Sequence, residues 1–167
     1  QVTNHDQLDR MQAMDLIAYI QPIFLNYDIS IIDDRIGSKR ASTSYNWKEF
    51  LDKGIPISGG SDCPVESLDI MDNIYAAVTR KTLKGEPDGG WRPDQCISVE
   101  DALESFTMGG AYASFSEDRK GSITPGKVAD LAVLSADLLA VEPDAIKDIE
   151  VLQTYLNGEL VFDRAAQ

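Results

Sequence analysis

Gly54-Ile55-Pro56-Ile57-Ser58-Gly59-Gly60-Ser61-Asp62-Cys63-Pro64-Val65 is the stretch on which the reading of the fold turns. Residues 55–58 make a short β-type run. Two glycines then let the backbone turn, and an aspartate, Asp62, follows at once. Beyond Pro64 the spacing becomes helical. A strand that runs into Gly-Gly-Ser-Asp sets a carboxylate at the carboxyl end of a strand, where α/β barrels keep their chemistry. The 167 residues include a single histidine, His5, so a metal centre anchored on Asp62 finds few other ligands here.

Upstream of this stretch, Asn46 and Glu49 have capping-box spacing, and Trp47, Phe50 and Leu51 form one apolar face. Gly54 suits the position just past that helix. Residues 22–43 carry mixed charges without a convincing period and read as a long connection. The run Leu16-Ile17-Ala18-Tyr19-Ile20, closed by Gln21-Pro22, reads as a buried strand. Asn4 and Gln7 open a helix over 4–14 with Leu8 and Met11 on one side.

Downstream, helical spacing over 68–81 aligns Leu68, Met71, Tyr75 and Val78. Residues 83–97 are loop by composition, and Ser98 caps a helix lined by Val99, Ala102, Leu103 and Phe106. After residue 120 the pattern turns to β. Residues 128–134 read as a strand, and 151–156 and 159–163 flank Asn157-Gly158, a strong hairpin signal. Alternating strands and helices predict parallel pairing. Only two such strands precede the β-rich end, and two parallel strands cannot cover themselves.

At 43% hydrophobic and 26% charged, the chain has the composition of one ordinary globular domain. The formal net charge of −13 repels phosphate backbones, so nucleic acid and anionic membranes are not expected partners. No apolar run approaches the roughly 20 residues that span a bilayer. The two cysteines, Cys63 and Cys96, lack metal-ligand spacing and are expected reduced, in a cytoplasmic protein. The start at Gln1 rather than Met reads as a processed product or an excerpt.

Residues 54–65, together with Ala76-Ala77-Val78-Thr79-Arg80, resemble the end of an amidohydrolase-superfamily barrel. The string from Lys120-Gly121-Ser122-Ile123 through Pro125-Gly126-Lys127 to Ala129-Asp130-Leu131 resembles the segment that leaves that barrel and enters a small β-sandwich built from both chain ends. Residues 154–162 are similar to the superfamily's last hairpin. Gln21-Pro22 and Trp47 fit its type 3 subgroup, which includes N-substituted formamide deformylases. The resemblance implies an α/β fold: the incomplete C-terminal portion of a (β/α)8 TIM-type barrel over residues 1–119, followed by a β-sandwich appendage over 120–167. It implies a divalent metal, commonly zinc, in the whole enzyme and a small-molecule amide or cyclic amide whose C–N bond is cleaved. The histidine motifs of strands one, five and six are missing. If 16–20 and 55–58 are strands seven and eight, those motifs are expected upstream, and the isolated chain is expected inactive, without metal and prone to self-association through open sheet edges.

The resemblance makes Asp62 the metal-contacting acid/base residue. Water on zinc has its pKa lowered to roughly 7, so an adjacent carboxylate can take its proton. The alternative is a turn or N-cap aspartate ahead of the helix near 68. Gly59, Gly60 and Ser61 could instead cradle a phosphate at a helix start, although Asp62 would repel it. Gln21 and Ser61 are candidates to face the same mouth, with Arg40 and Trp91, like Arg35, reaching substrate from long loops. Surface ion pairs and loop packing explain those loop residues equally well. Asp28, Asp33 and Asp34 suggest paired carboxylates or simply a solvated acidic loop. His5 is expected to face solvent, and Cys63 to pack beside the site.

Overall fold

The structure, a computed structural model, describes residues 1–166. Helix α1, His5–Ala13, opens on the expected capping box: the Asn4 side chain accepts from the Gln7 amide, and Gln7 reciprocates to the Asn4 amide. Strand β1, Ala18–Ile20, lies parallel to β2, Ile57–Gly59, in the register Ala18↔Ile57 and Ile20↔Gly59. Both strands are shorter than the apolar runs that predict them.

The segment between them differs from the loop expected over 22–43. A helical turn at Pro22–Phe24 is followed by α2, Leu25–Asp28, α3, Ile32–Ile36, and α4, Ser38–Ala41. Each is too short to display a helical period, which hides them from a pattern-based reading. Ile23, Leu25, Ile32 and Ala41 anchor them in the core. Helix α5, Trp47–Asp52, starts where expected, but its capping box does not form. Arg92 donates to the Asn46 Oδ1 at 2.8 Å, and the Glu49 amide is capped instead by Gln95 Oε1 at 3.2 Å. The helix ends in a Schellman arrangement, with Gly54 at φ +69 and amides of Gly54 and Ile55 bonded to Leu51 and Phe50 carbonyls.

Helix α6, Ile70–Thr79, is capped by Asp69, whose carboxylate accepts from the Met71 amide. Helix α7, Val99–Phe106, is capped by Ser98 as expected, and α8, Met108–Ala113, follows without sequence warning. Both cover β2, and two glycines make this possible. The Phe106 ring occupies the space a Cβ on Gly59 would need, at 2.6 Å. A Cβ on Gly109 would meet the Ile57 carbonyl at 2.3 Å.

Strands β3, Leu131–Leu134, β4, Val151–Leu156, and β5, Glu159–Asp163, form one antiparallel sheet in the order β3-β4-β5. Asn157 and Gly158 turn the hairpin at φ 51 and 82. Among the described residues the appendage contributes a single sheet, and none of its strand residues is fully buried. The turns at Pro143–Asp148 pack on α6 instead, so Leu138, Ile146 and Ile149 share one core with Leu8, Trp47, Ile57 and Ile74.

Candidate functional site

Parallel pairing brings the carboxyl ends of β1 and β2 side by side. The Gly60 amide donates to the Ile20 carbonyl at 3.0 Å, so Gln21 and Ser61 leave the sheet as neighbours. Ser61 is buried and Asp62, next in line, is exposed. Asp62 has φ +60, a left-handed conformation that aspartate tolerates better than most non-glycine residues. The Val65 amide donates to the Asp62 carbonyl at 2.8 Å, closing a turn. Of the alternative reading of Asp62 the turn half holds and the helix-cap half does not, because Asp69 caps α6. Local strain of this kind gathers at functional positions, where surrounding structure holds it.

The phosphate-cradle reading of the glycines also loses its basis. The absent side chain of Gly59 makes room for Phe106, not for a ligand. The helix beyond presents the Asp69 carboxylate, with Asp72 in its first turn, to any approaching anion. Burial and the neighbouring Asp69 raise the Asp72 carboxyl above its ordinary pKa.

Gln21 lines a cavity of about 200 Å³ with Tyr19, Ile20, Tyr45, Trp47 and Phe50. Because Ile17 through Gln21 all line it, the cavity runs along the free edge of β1 rather than capping the strand ends. Arg40 lies exposed on α4, its carbonyl accepting from the Thr43 and Ser44 hydroxyls. Arg35 is exposed on α3. Trp91, a candidate substrate contact for which loop packing is the equal alternative, packs against arginines. Its ring lies 5.1 Å from the Arg80 guanidinium and 5.6 Å from that of Arg92, edge-on to Tyr45. With arginines against it, the indole is committed to packing.

The paired-carboxylate reading dissolves as well. Asp28 accepts a hydrogen bond from the Tyr45 hydroxyl, and Asp33 and Asp34 sit in the first turn of α3, where the helix dipole favours negative charge. His5 faces solvent as expected, with Nδ1 2.8 Å from Glu49 Oε1. Cys63, expected to pack beside the site, has an exposed side chain instead.

One organising residue enters the sequence analysis only as the last member of the string 76–80. Arg80 is wholly buried between the Trp47 ring, at 4.7 Å, and the Trp91 ring. Its Nε donates to the Trp91 carbonyl at 2.7 Å and its Nη1 to the Tyr45 carbonyl at 2.9 Å, while Nη2 has no partner among the described residues. Burial first, and the adjacent Arg92 second, push its pKa down to about 9. Arg80 and Arg92 together pin residues 44–46, of which Tyr45 walls the cavity beside Gln21. Beyond that string, its sequence signal is an arginine after an apolar helix with tryptophans on both flanks.

Among the described residues no three histidine, cysteine, aspartate or glutamate side chains converge as metal ligands. Asp62 offers one exposed carboxylate, and that alone does not fit a metal cage. No helix among them is long and apolar enough to cross a membrane.

Residues 1–162 match the amidohydrolase family model Amidohydro_3. The Bacillus subtilis protein YtcJ is 32% identical over 99% of this chain and 31% of its own length. N-substituted formamide deformylase of Arthrobacter pascens is 32% identical over 70% of this chain and 21% of its own. A metal-dependent hydrolase of Pyrococcus horikoshii superposes with a TM-score of 0.75 at 29% identity, covering 85% of this chain and 29% of that one. The chain therefore spans about a third or less of the length of these relatives. With the match running from the first helix through the last hairpin, the chain belongs to the amidohydrolase family.

Proposed function

We propose that this chain is the C-terminal part of a barrel hydrolase that cleaves non-peptide C–N bonds of amides or cyclic amides, and that Asp62 is its contribution to the catalytic centre. In this reading residues 1–119 supply the last two staves and 120–167 a β-rich appendage. The observation that carries the reading is an exposed carboxylate in a left-handed conformation just past the carboxyl end of a parallel strand, beside Gln21 of its neighbour.

In hydrolysis a water oxygen bonds to the carbonyl carbon and the C–N bond breaks. Asp62 takes the proton from that water and returns it to the departing nitrogen, so one carboxylate serves as base and then acid. Ser61 and Gln21 border the same mouth as polar contacts for substrate. The divalent metal that would polarise the carbonyl needs ligands beyond those the described residues offer, since a single carboxylate does not hold it.

The test compares the isolated chain with the enzyme that contains it. Hydrolysis of simple amides is expected from the enzyme alone, and dialysed isolated chain is expected to retain far less than one metal ion per molecule. Amide hydrolysis by the isolated chain at the enzyme's rate would overturn the reading. An enzyme that hydrolyses no amide would overturn it in favour of the alternative, a non-catalytic binding or assembly module.

A further inference from the structure

Helix α6 carries a polar side chain at a position where an apolar one would pack without desolvation. Asn73 is fully buried, on a helix whose Met71, Ile74 and Ala76 are buried too. Asparagine is a weak helix former and unfavourable to bury without partners. Its Oδ1 accepts from the Ile23 amide at 3.1 Å, across 50 residues of sequence, and its Nδ2 donates to the Asp69 carbonyl at 3.4 Å. Ile23 lies in the helical turn that follows Gln21, and Asp69 closes the loop that begins at Asp62. One side chain therefore ties the exit of β1 to the end of the Asp62 loop.

Gln21 occupies the cap position of that turn, yet its side chain makes no cap hydrogen bond. Serine, aspartate or asparagine would be suited to cap the turn locally. The chain has glutamine there and draws the cap from α6 instead. The backbone of Gln21 is then held from both sides. The Gly60 amide fixes the Ile20 carbonyl at 3.0 Å, Asn73 fixes Ile23, and the rigid ring of Pro22 lies between. Gln21 and Asn73 each sit where local energetics would favour another residue, a departure of the kind expected at functional positions.

Resting on the functional reading above, in which Gln21 contacts substrate, we infer that Asn73 is a positioning residue that acts on catalysis through Gln21. It holds the chain leaving β1 in place, and by supplying the cap it leaves the Gln21 side-chain amide to the substrate.

The experiment uses the enzyme that contains this chain. Amide hydrolysis and the unfolding midpoint are measured for the wild type, Gln21→Ala, Asn73→Leu and the double variant. Asn73→Leu keeps the side chain's size and removes both hydrogen bonds. Alone, it is expected to lower kcat/KM about tenfold or more at a temperature where the variant is folded, because small misplacements are amplified in rate. Added to Gln21→Ala, it is expected to change kcat/KM by less than about twofold, while lowering the midpoint equally in both backgrounds. Asn4→Ala, which loses a cap on α1, is the control: its midpoint falls and its kcat/KM stays. If Asn73→Leu does not fold, Asn73→Ser, whose hydroxyl is too short to reach the Ile23 amide, is read in the same way. Three results would overturn the inference and leave Asp62 and amide hydrolysis standing: an Asn73 variant that loses stability but not kcat/KM, a loss that multiplies in full with that of Gln21→Ala, or a Gln21→Ala variant as active as the wild type. A wild type that hydrolyses no amide would overturn both.

Discussion

Gly59 and Gly60 adjoin in the chain but answer to different constraints. A Cβ at Gly59 would lie 2.6 Å from the Phe106 ring, whereas nothing lies within 4 Å of one at Gly60. Gly59→Ala is expected to lower stability by about 1–3 kcal/mol, the usual cost of overpacking. Gly60→Ala is expected to stay within about 0.5 kcal/mol, both measured by urea unfolding. Arg80→Lys is expected to cost about 1–3 kcal/mol in the same assay, because an ammonium cannot donate to both carbonyls and spread between two indoles as a guanidinium does. At this scale the placement of Gln21, Ser61 and Asp62 just past the carboxyl ends of the two strands is legible, because a strand's end is written in its turn residues. The Arg80 stack is not, because Trp47, Arg80 and Trp91 meet only through tertiary folding. The packing of Trp91 is hidden for the same reason: composition marks it as a loop residue and says nothing of the arginines against its ring.

Elements whose ends are signalled locally form as expected. Asn4, Ser98, Gly54 and Asn157-Gly158 each satisfy nearby backbone groups or adopt the turn conformation themselves, so a few residues suffice to predict them. Asn46 shows where that logic stops. Its oxygen is captured by Arg92 and its capping duty passes to Gln95, partners distant in sequence. Asn4→Ala is expected to cost about 1 kcal/mol through the lost cap, seen as a lower unfolding midpoint. Gly158→Val acts on a different unit. With φ at +82 a β-branched side chain is strained by about 1–2 kcal/mol. Since the β3-β4-β5 sheet lacks fully buried residues, the loss is expected to surface as faster amide exchange in β4 and β5, with α6 amides still protected.

At the scale of the whole molecule, two sheets remain under-covered. Tyr19 of β1 is 64% exposed, and Leu131, Val133, Leu160 and Val161 of the antiparallel sheet all face solvent. Alternation in the sequence foretells a parallel pair, and the structure shows one. The sequence does not reveal that 138–149 join the main core while the sheet stays outside it, since both read as the same β-rich end. Open edges and apolar faces favour association, so sedimentation of the isolated chain at micromolar concentration is expected to show species larger than a monomer, where a compact monomer would contradict the proposed missing staves. The central claim rests on Asp62, and the most direct measurement is kcat for amide hydrolysis by the enzyme that contains this chain, compared between the wild type and the variant Asp62→Asn. The expected result is a fall of about 10²–10⁴-fold with an unchanged unfolding midpoint. A variant that turns over within about twofold of the wild type, well inside the loss that removing an acid/base residue brings, would contradict it.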